Sequence, residues 1–257
     1  MAGADTVPVL WQFRASHFNE KARWALDWKR IPHVRRSLLP GFHVPRVMWM
    51  TGQKSVPVLV LDGKAVADST RIIETLEQRW PDRPLYPADP AARRRALELE
   101  EFFDEELGPH VRRAAFHDVL PNTDYAVAFF TTGAGPVARA AYRAIFPVLR
   151  PVMRADMAID PGRAARSWEK TVAALDRVER ELQPSGYLVG DAFSVADLTA
   201  AALFAPLVGP PEFPYPLPAP VPEPMASKRA SLVARPGFRW VEQMYHRHRG
   251  RSAEVDR

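Results

Sequence analysis

The sequence predicts an N-terminal α/β domain with a mixed four-stranded sheet, in the order βαβαββα, followed by an all-α helical-bundle domain. Short β-rich runs alternate with helical patterns in the first third of the chain. A proline-rich break follows at residues 80–90, and beyond it the apolar residues recur with helical period. The 257 residues are enough for two domains, since domains commonly contain about 100 to 150 residues.

The first domain is predicted to span residues 1–86. Its strands and helices are assigned from apolar alternation and from apolar residues that recur every three or four positions. The predicted elements are strand 7–13, helix 18–29, strand 33–39, a short irregular helix 45–51, strand 57–61, strand 65–67 and helix 69–80. Asp62 and Gly63 fall between the last two strands, and Asp-Gly is a favoured two-residue hairpin turn.

The second domain is predicted to span residues 91–249. Prolines separate it from the first domain, because proline lacks an N–H donor and its ring clashes with the preceding helical turn. The predicted helices are 91–107, 138–154, 164–182 and 238–249. Nine prolines lie between residues 206 and 224, and the sequence predicts an ordered proline-rich loop at 206–234.

Composition excludes several classes of chemistry. The chain has no cysteine, which rules out disulfides, thiolate metal sites and a protein thiol as nucleophile. The histidines form no metal-binding motif, so we expect no metal. The net charge of +5 is modest and spread along the chain, which predicts no nucleic-acid partner.

The sequence also predicts no membrane association. No apolar run approaches the roughly 20 residues that span a bilayer. Residues 1–7 show no basic segment followed by an apolar core, so neither a secretory signal nor a transit peptide is evident. We therefore expect a cytoplasmic location.

Three motifs in the first domain carry the functional signal. They are residues 16–26, SHFNEKARWAL, after a strand; residues 55–59, SVPVL, at the start of a strand; and residues 67–72, ADSTRI, where a strand ends and a helix begins. Ser16 and Asp68 are both good helix N-cap residues, and capping alone would explain either of them in isolation. The joint spacing of the motifs in a βαβαββα order favours a shared function.

Together these motifs resemble the glutathione S-transferase family, in particular its serine-type members. In that family a Ser-Pro-Phe-like turn begins the first helix and a Lys-x-Arg-x-x-Leu pattern continues it. The resemblance covers residues 7–86 well and residues 91–203 in outline. It implies a thioredoxin-like first domain that binds glutathione as co-substrate.

The resemblance implies that Ser16 stabilises the glutathione thiolate. A hydroxyl at a helix N-terminus can donate to a thiolate, and the helix dipole favours negative charge there. Asn19 is a second candidate donor to sulfur. The sequence departs from the family pattern at residues 10–13, which lack a tyrosine, and at His17, where many members carry proline.

The other two motifs are implied to bind the peptide. Val56-Pro57 would be a cis peptide bond that lets the backbone of Val56 pair with the cysteinyl unit of glutathione. Asp68 would bind the γ-glutamyl ammonium, while Ser69 and the helix N–H groups would bind the γ-glutamyl carboxylate.

The glycyl carboxylate of glutathione requires a cation. Lys54, His43 and Arg46 lie in or near the second-helix region that usually supplies it. Lys54 is preferred because it precedes Pro57 by three residues, although each of the three could be a solvated surface group.

The family forms its second-substrate site between the two domains. Phe13, Phe116 and Tyr125 are the predicted walls of a pocket for a small apolar electrophile. The resemblance also implies a homodimer that uses the third and fourth helices.

A further motif supports the architecture of the helical domain. Ser194 and Asp197 have capping-box spacing, and Phe193 and Leu198 are placed as a hydrophobic staple. The Phe-Ser-x-Ala-Asp pattern also occurs in the helical domain of the family.

Two functions fit this sequence. The first is a glutathione transferase-like enzyme that activates the thiol for attack on the electrophile. The second is a non-catalytic glutathione-binding or scaffold protein of the same fold, which His17 and the missing tyrosine favour.

Overall fold

Residues 7–256 are described by a computed structural model, in which a four-stranded sheet with three helices precedes eight further helices. Residues 1–6 of the predicted first domain lie outside the described range. The elements are β1 Val9–Gln12, α1 His17–Trp28, β2 Val34–Ser37, α2 Val44–Thr51, β3 Val58–Leu61, β4 Lys64–Ala67, α3 Ser69–Arg79, α4 Pro90–Glu106, α5 Gly108–Val119, α6 Thr123–Phe130, α7 Pro136–Asp156, α8 Pro161–Glu181, α9 Val195–Val208, α10 Glu223–Leu232 and α11 Pro236–His248.

The sheet is mixed and has the strand order β2-β1-β3-β4. Strand β1 is parallel to β2 and antiparallel to β3, and β3 is antiparallel to β4. Asp62 and Gly63 form the β3-β4 turn, and their φ angles of +49° and +76° suit the type I′ turn that Asp-Gly favours. The predicted order βαβαββα and the helical second half of the chain are confirmed.

Helix α1 is buried on all sides, although its sequence reads as amphipathic. It contacts α3 of the first domain and α9 of the second. Glu20, Lys21, Arg23 and Asp27 are all buried. A buried charge is costly unless it is paired and hydrogen-bonded, so the packing of α1 depends on the partners of these four side chains.

Arg249, just after α11, pairs with two of the buried carboxylates. Its Nε donates to Glu20 Oε1 at 2.5 Å, and its Nη1 donates to Asp27 Oδ2 at 2.8 Å. Asp27 also accepts from Arg35 and from the backbone N–H of Ala253. Burial acts to raise the pKa of Asp27, but Arg249 and Arg35 outweigh it and hold that pKa below its usual value.

The chain after Arg249 lies along the edge of the first domain. Glu254 forms a parallel β-bridge with His33, next to β2. The N–H of Val255 donates to the carbonyl of His33 at 2.9 Å, and the N–H of His33 donates to the carbonyl of Ala253 at 3.3 Å. Residues 250–256, which we call the C-terminal strap, therefore pair with the first domain at His33, immediately before β2.

Lys21 joins the two domains at the other side of α1. Its ammonium donates to Thr70 on α3 at 2.8 Å and to Asp104 on α4 at 2.5 Å, and it lies 2.8 Å from a carboxylate oxygen of Glu100 on α4. Burial acts to lower the pKa of Lys21, yet Asp104 and Glu100 raise it above its usual value. The ammonium therefore stays charged.

Helix α9 is the centre of the second domain and is buried along almost its whole length. It begins with the predicted capping box, in which Asp197 Oδ2 accepts from the backbone N–H of Ser194 at 2.9 Å. Asp197 Oδ1 also accepts from the N–H of Leu188 at 2.8 Å. The same carboxylate thus caps α9 and fixes the loop before it.

The prediction of a proline-rich loop at 206–234 is wrong at both ends. Helix α9 continues through Pro206 and stops at Gly209, which has a φ of +59°. Helix α10 starts with Pro224 in its first turn, where the missing N–H would have had no helical partner. The loop itself is residues 209–222.

Helices α5 and α6 were also missed from the sequence. Gly108 and Pro109 look like a helix break, but a proline in the first turn is compatible with a helix start.

Within residues 7–256, every helix is too short or too polar to cross a bilayer.

We predict that Arg249→Ala lowers the free energy of unfolding by about 3 to 5 kcal/mol, because it leaves Glu20 and Asp27 buried without their partner. Urea denaturation of the full chain measures the change. Arg251→Ala is the matched control: its side chain is exposed, and a change within about 0.5 kcal/mol is expected. Equal effects of the two substitutions would contradict a structural role for the buried ion pairs.

Candidate functional site

Strand pairing brings the three sequence motifs to one edge of the sheet. Trp11 of β1 pairs with Val58 of β3, which pairs in turn with Ala67 of β4. The segments that follow Trp11, precede Val58 and follow Ala67 therefore emerge side by side. We call this the motif edge, and it consists of residues 13–16, 56–57 and 68–69.

Ser16 is the N-cap of α1. Its hydroxyl oxygen accepts from the backbone N–H of Asn19 at 3.4 Å, and its side chain is half-buried. The first backbone N–H groups of a helix have no intrahelical acceptor, and the helix dipole is positive there. This turn is therefore suited to hold an anion beside the Ser16 hydroxyl.

Asn19 is fully buried one turn into α1 and links two parts of the motif edge. Its Oδ1 accepts from the N–H of Phe13 at 3.4 Å, and its Nδ2 donates to the carbonyl of Val56 at 3.5 Å. Asn19 thus positions the β1-α1 turn against the segment before β3. The Val56-Pro57 bond is cis, as the family resemblance implies.

Asp68 is the N-cap of α3 and has a φ of +80°. Its Oδ1 accepts from the backbone N–H groups of Thr70 at 2.9 Å and Arg71 at 3.2 Å. The side chain of Asp68 is exposed, whereas Ser69 is buried at the first turn of α3. An exposed carboxylate and a helix N-terminus therefore lie together at the motif edge.

The three cations considered for a carboxylate are in different surroundings. The Lys54 ammonium forms an exposed ion pair with Asp156 at the end of α7. His43 packs edge-on against Phe13, with 4.7 Å between ring centroids, and burial lowers its pKa. The Arg46 guanidinium lies over the Trp11 ring at 4.7 Å.

The predicted pocket walls are divided between two places. Phe13 lies on the α2 side, against His43. Phe116 and Tyr125 belong to an apolar cluster of α5, α6 and α7, which Ala15 of the β1-α1 turn also contacts. Tyr125 is buried and its hydroxyl has no hydrogen-bond partner within residues 7–256. Phe116 is partly buried and faces this cluster.

His17 contacts the second domain, a role the sequence did not reveal. The side chain is buried. Its Nε2 donates to the carbonyl of Gly108, at the start of α5, at a distance of 3.0 Å. Burial, reinforced by the charge of Arg112, lowers the pKa of His17 from 6.5 to about 3. The imidazole is therefore neutral and fixes the β1-α1 turn against α5.

Arg23 supports the same turn from inside the first domain. Its guanidinium donates to the carbonyls of Phe13 at 3.1 Å and Ser16 at 3.3 Å. The Tyr215 ring, from the loop of residues 209–222, lies 5.0 Å from that guanidinium, and its hydroxyl accepts from Gln12 at 3.2 Å. The proline-rich loop is therefore part of the structure behind the motif edge.

Within the described part of the chain, no group of three or more His, Asp and Glu side chains is arranged to hold a metal ion. The arrangement at the motif edge instead offers hydroxyl, backbone and carboxylate groups. These groups fit a peptide-like ligand that carries both charges.

A mixed four-stranded sheet of this topology, a cis-proline before β3 and a helical second domain define a two-domain protein of the thioredoxin-like type. The family model described as "Glutathione S-transferase, N-terminal domain" matches residues 10–84, and "Glutathione S-transferase, C-terminal domain" matches residues 161–222. Together they cover just over half of the sequence. The chain belongs to the glutathione S-transferase family.

Individual relatives agree with this assignment. Glutathione S-transferase U4 of Arabidopsis thaliana is 43% identical over 110 residues, which are 42% of this chain and 49% of the relative. Glutathione S-transferase U24 of the same plant is 35% identical over 112 residues, 43% of this chain and 51% of the relative. The chain spans about half the length of the curated relatives it matches.

One solved structure shows the same fold over most of the chain. A glutathione S-transferase from Methylobacterium radiotolerans, in complex with glutathione sulfonate, has a TM-score of 0.56 and 23% sequence identity. The match covers 91% of this chain and 93% of that one.

We predict that His17 makes the protein less stable in acid. Its pKa is about 3 in the folded protein, against the ordinary value of 6.5 expected in the unfolded chain. Between these pH values the unfolded chain therefore binds a proton that the folded chain excludes. The stability contributed by neutral His17 is complete above pH 6.5 and is lost as the pH falls towards 3.

His17→Gln, which retains a donor for the Gly108 carbonyl, should reduce the slope of unfolding free energy against pH by about 1.4 kcal/mol per pH unit in this window. Urea denaturation at several pH values measures the slope. His246→Gln removes a histidine with an 82% exposed side chain and should leave it unchanged. An unaltered slope in His17→Gln would mean that His17 titrates normally.

Proposed function

We propose that this chain is a glutathione transferase-like enzyme that binds glutathione along the motif edge and activates its thiol at the N-terminus of α1. The observation that carries the proposal is the convergence of Ser16, Val56 and Asp68 at one edge of the sheet. A hydroxyl, an extended backbone segment and a carboxylate in this order match the thiol, peptide and ammonium groups of glutathione.

Each part of the ligand has a complementary group. Asp68 carries an exposed carboxylate for the γ-glutamyl ammonium, and the N-terminus of α3 with Ser69 suits the γ-glutamyl carboxylate. The backbone of Val56 pairs with the cysteinyl unit. Lys54 receives the glycyl carboxylate by exchanging its ion pair with Asp156.

The Ser16 hydroxyl donates to the sulfur, and the helix dipole lowers the thiol pKa further. The thiolate attacks an electrophilic carbon, a carbon–sulfur bond forms, and the leaving group departs with its electron pair. Because the sequence has no cysteine, the sulfur in this reaction belongs to glutathione alone. The related M. radiotolerans structure with glutathione sulfonate supports a ligand of this class.

The electrophile is proposed to be small and largely apolar. Phe13 lies on one side of the β1-α1 turn, and the cluster that includes Phe116 and Tyr125 lies on the other. Asn19 is a second proposed hydrogen-bond donor to the sulfur, through the amide hydrogen that does not bind Val56.

The alternative, a non-catalytic glutathione-binding or scaffold protein, has specific support. Asp68 already caps α3, the Ser16 oxygen already accepts from Asn19, and the Val56 carbonyl already accepts from the Asn19 amide. These internal bonds would be enough to explain the motif residues as parts of the fold. The two proposals therefore differ in whether the protein activates the thiol of glutathione.

We also propose a cytoplasmic homodimer that uses α3 and α4, with Arg71, Thr75 and Arg94 as contacts. The side chains of Arg71 and Arg94 are exposed and Thr75 is half-buried, which leaves this face open to a second copy.

Asp68→Asn separates ligand binding from helix capping. Asparagine is as good an N-cap as aspartate and tolerates positive φ, so stability should change little. The γ-glutamyl ammonium would lose its carboxylate partner, so the dissociation constant for glutathione should rise about 10- to 100-fold. This change corresponds to the loss of one charge-assisted hydrogen bond. Titration calorimetry measures the affinity.

The control is Asp89→Asn, since Asp89 caps α4 through Ala92 and should not affect affinity. A glutathione analogue without the γ-glutamyl amine should bind wild type and Asp68→Asn equally. Unchanged glutathione affinity in Asp68→Asn would show that Asp68 is only a cap.

Ser16→Ala tests the activation of the thiol. In wild type the pKa of bound glutathione, followed by ultraviolet absorbance of the thiolate, should lie below the ordinary thiol value of about 8.5. The substitution should raise it by about one to two units, which lowers the thiolate fraction at neutral pH.

Ser16→Thr keeps both a cap for α1 and the hydroxyl, so it should leave the thiol pKa nearly unchanged. Ser227→Ala removes an exposed serine hydroxyl and should leave the thiol pKa unchanged as well. Binding without any shift of the thiol pKa in wild type would favour the scaffold function, and no binding would contradict both.

A further inference from the structure

Arg112 on α5 lies close enough to the β1-α1 turn for its charge to act on His17. It lies one helical turn after Gly108, so the two residues share a face of α5. The carbonyl of Gly108 accepts from His17, and a Cβ on Gly108 would come within 2.3 Å of the Phe18 ring. One turn beyond Arg112, Phe116 packs in the cluster that Ala15 contacts. Arg112 thus lies between Gly108, which contacts His17, and Phe116, which packs against the same cluster as Ala15.

The Arg112 side chain is half-buried and has no anionic partner in contact. Within residues 7–256 it forms no ion pair, and its buried Nε has no hydrogen-bond partner. Burial and the adjacent Arg113 lower its pKa. The neighbouring Arg113 differs, because its guanidinium donates to the carbonyl of Met157 and to the hydroxyl of Ser167. Both hydrogen bonds are 3.0 Å long.

The surrounding charges leave this cation uncompensated. Asp156 is the carboxylate whose charge acts on Arg112, but it is engaged by Lys54. His17 is neutral, since burial and Arg112 itself oppose its protonation. A buried N–H donor without a partner is costly, and a carboxylate bound beside Arg112 would satisfy it.

We propose that Arg112 binds a carboxylate of the second substrate, so that the enzyme selects small electrophiles with an apolar body and one negative charge. The inference rests on the proposed function, because it assumes that the electrophile meets the thiolate beside Ser16. Phe116 would contact the apolar body of the substrate, and Arg112 would determine its orientation.

The test compares two acceptors of the same shape. A chloronitrobenzoate and its primary amide both react when the sulfur of glutathione attacks the chlorine-bearing carbon, a carbon–sulfur bond forms and chloride leaves. They differ by one negative charge. Wild type should have the higher kcat/KM with the benzoate.

Arg112→Gln should lower kcat/KM for the benzoate about 10- to 100-fold and leave that for the amide within about twofold. Arg112→Lys, which keeps the charge, should recover part of the loss. Arg166→Gln removes an exposed arginine of α8 and should affect neither acceptor. Equal losses with both acceptors, or a raised KM for glutathione with both, would overturn the proposal.

A binding measurement separates this inference from the proposed function. Calorimetry with unreactive nitrobenzoate and nitrobenzamide requires no turnover. A preference for nitrobenzoate that is lost in Arg112→Gln supports the anion site even if wild type transfers glutathione to neither acceptor. The absence of that preference refutes the site, whether or not the thiol is activated.

Discussion

The structure depends on a single constraint: helix α1 is buried on every side while it carries four charged residues. Burial of unpaired charges is costly, so each of the four needs a partner. Lys21 meets Thr70 of α3 and Asp104 of α4, and Glu20 and Asp27 meet Arg249 beyond α11. Because these partners come from both domains, the pairing that makes α1 possible also fixes how the domains contact each other.

The motif edge inherits its geometry from this arrangement. The N-terminus of α1 is held by His17 against α5 and by Arg23 against the carbonyls that precede the helix. Asn19 then joins the same turn to the segment before β3. The Ser16 hydroxyl therefore lies on a turn held from several sides, which suits the role proposed for it beside a sulfur atom. The tyrosine from the proline-rich loop completes the support, although that loop lies about 200 residues further along the chain.

Local signals in the sequence predicted most of the first domain, because periodicity, the Asp-Gly turn and the capping box act over a few residues. The same reasoning failed at the end of α9 and at α10, where proline was taken only as a sign of a loop. It could not find Arg249, Tyr215 or the contact of His17 with Gly108, since those partners are separated by many residues in the chain. The motif residues themselves were identifiable, whereas Arg112 carries no signal until α5 is seen against α1.

The C-terminal strap ties the first domain to residues that follow the second. Arg249 and the N–H of Ala253, which bind the Asp27 carboxylate, lie 222 and 226 residues further along the chain. A first domain separated from them would lack the cation that pairs with its central helix and the backbone that pairs with His33 beside β2. We therefore expect the two domains to unfold together in one cooperative step rather than one after the other.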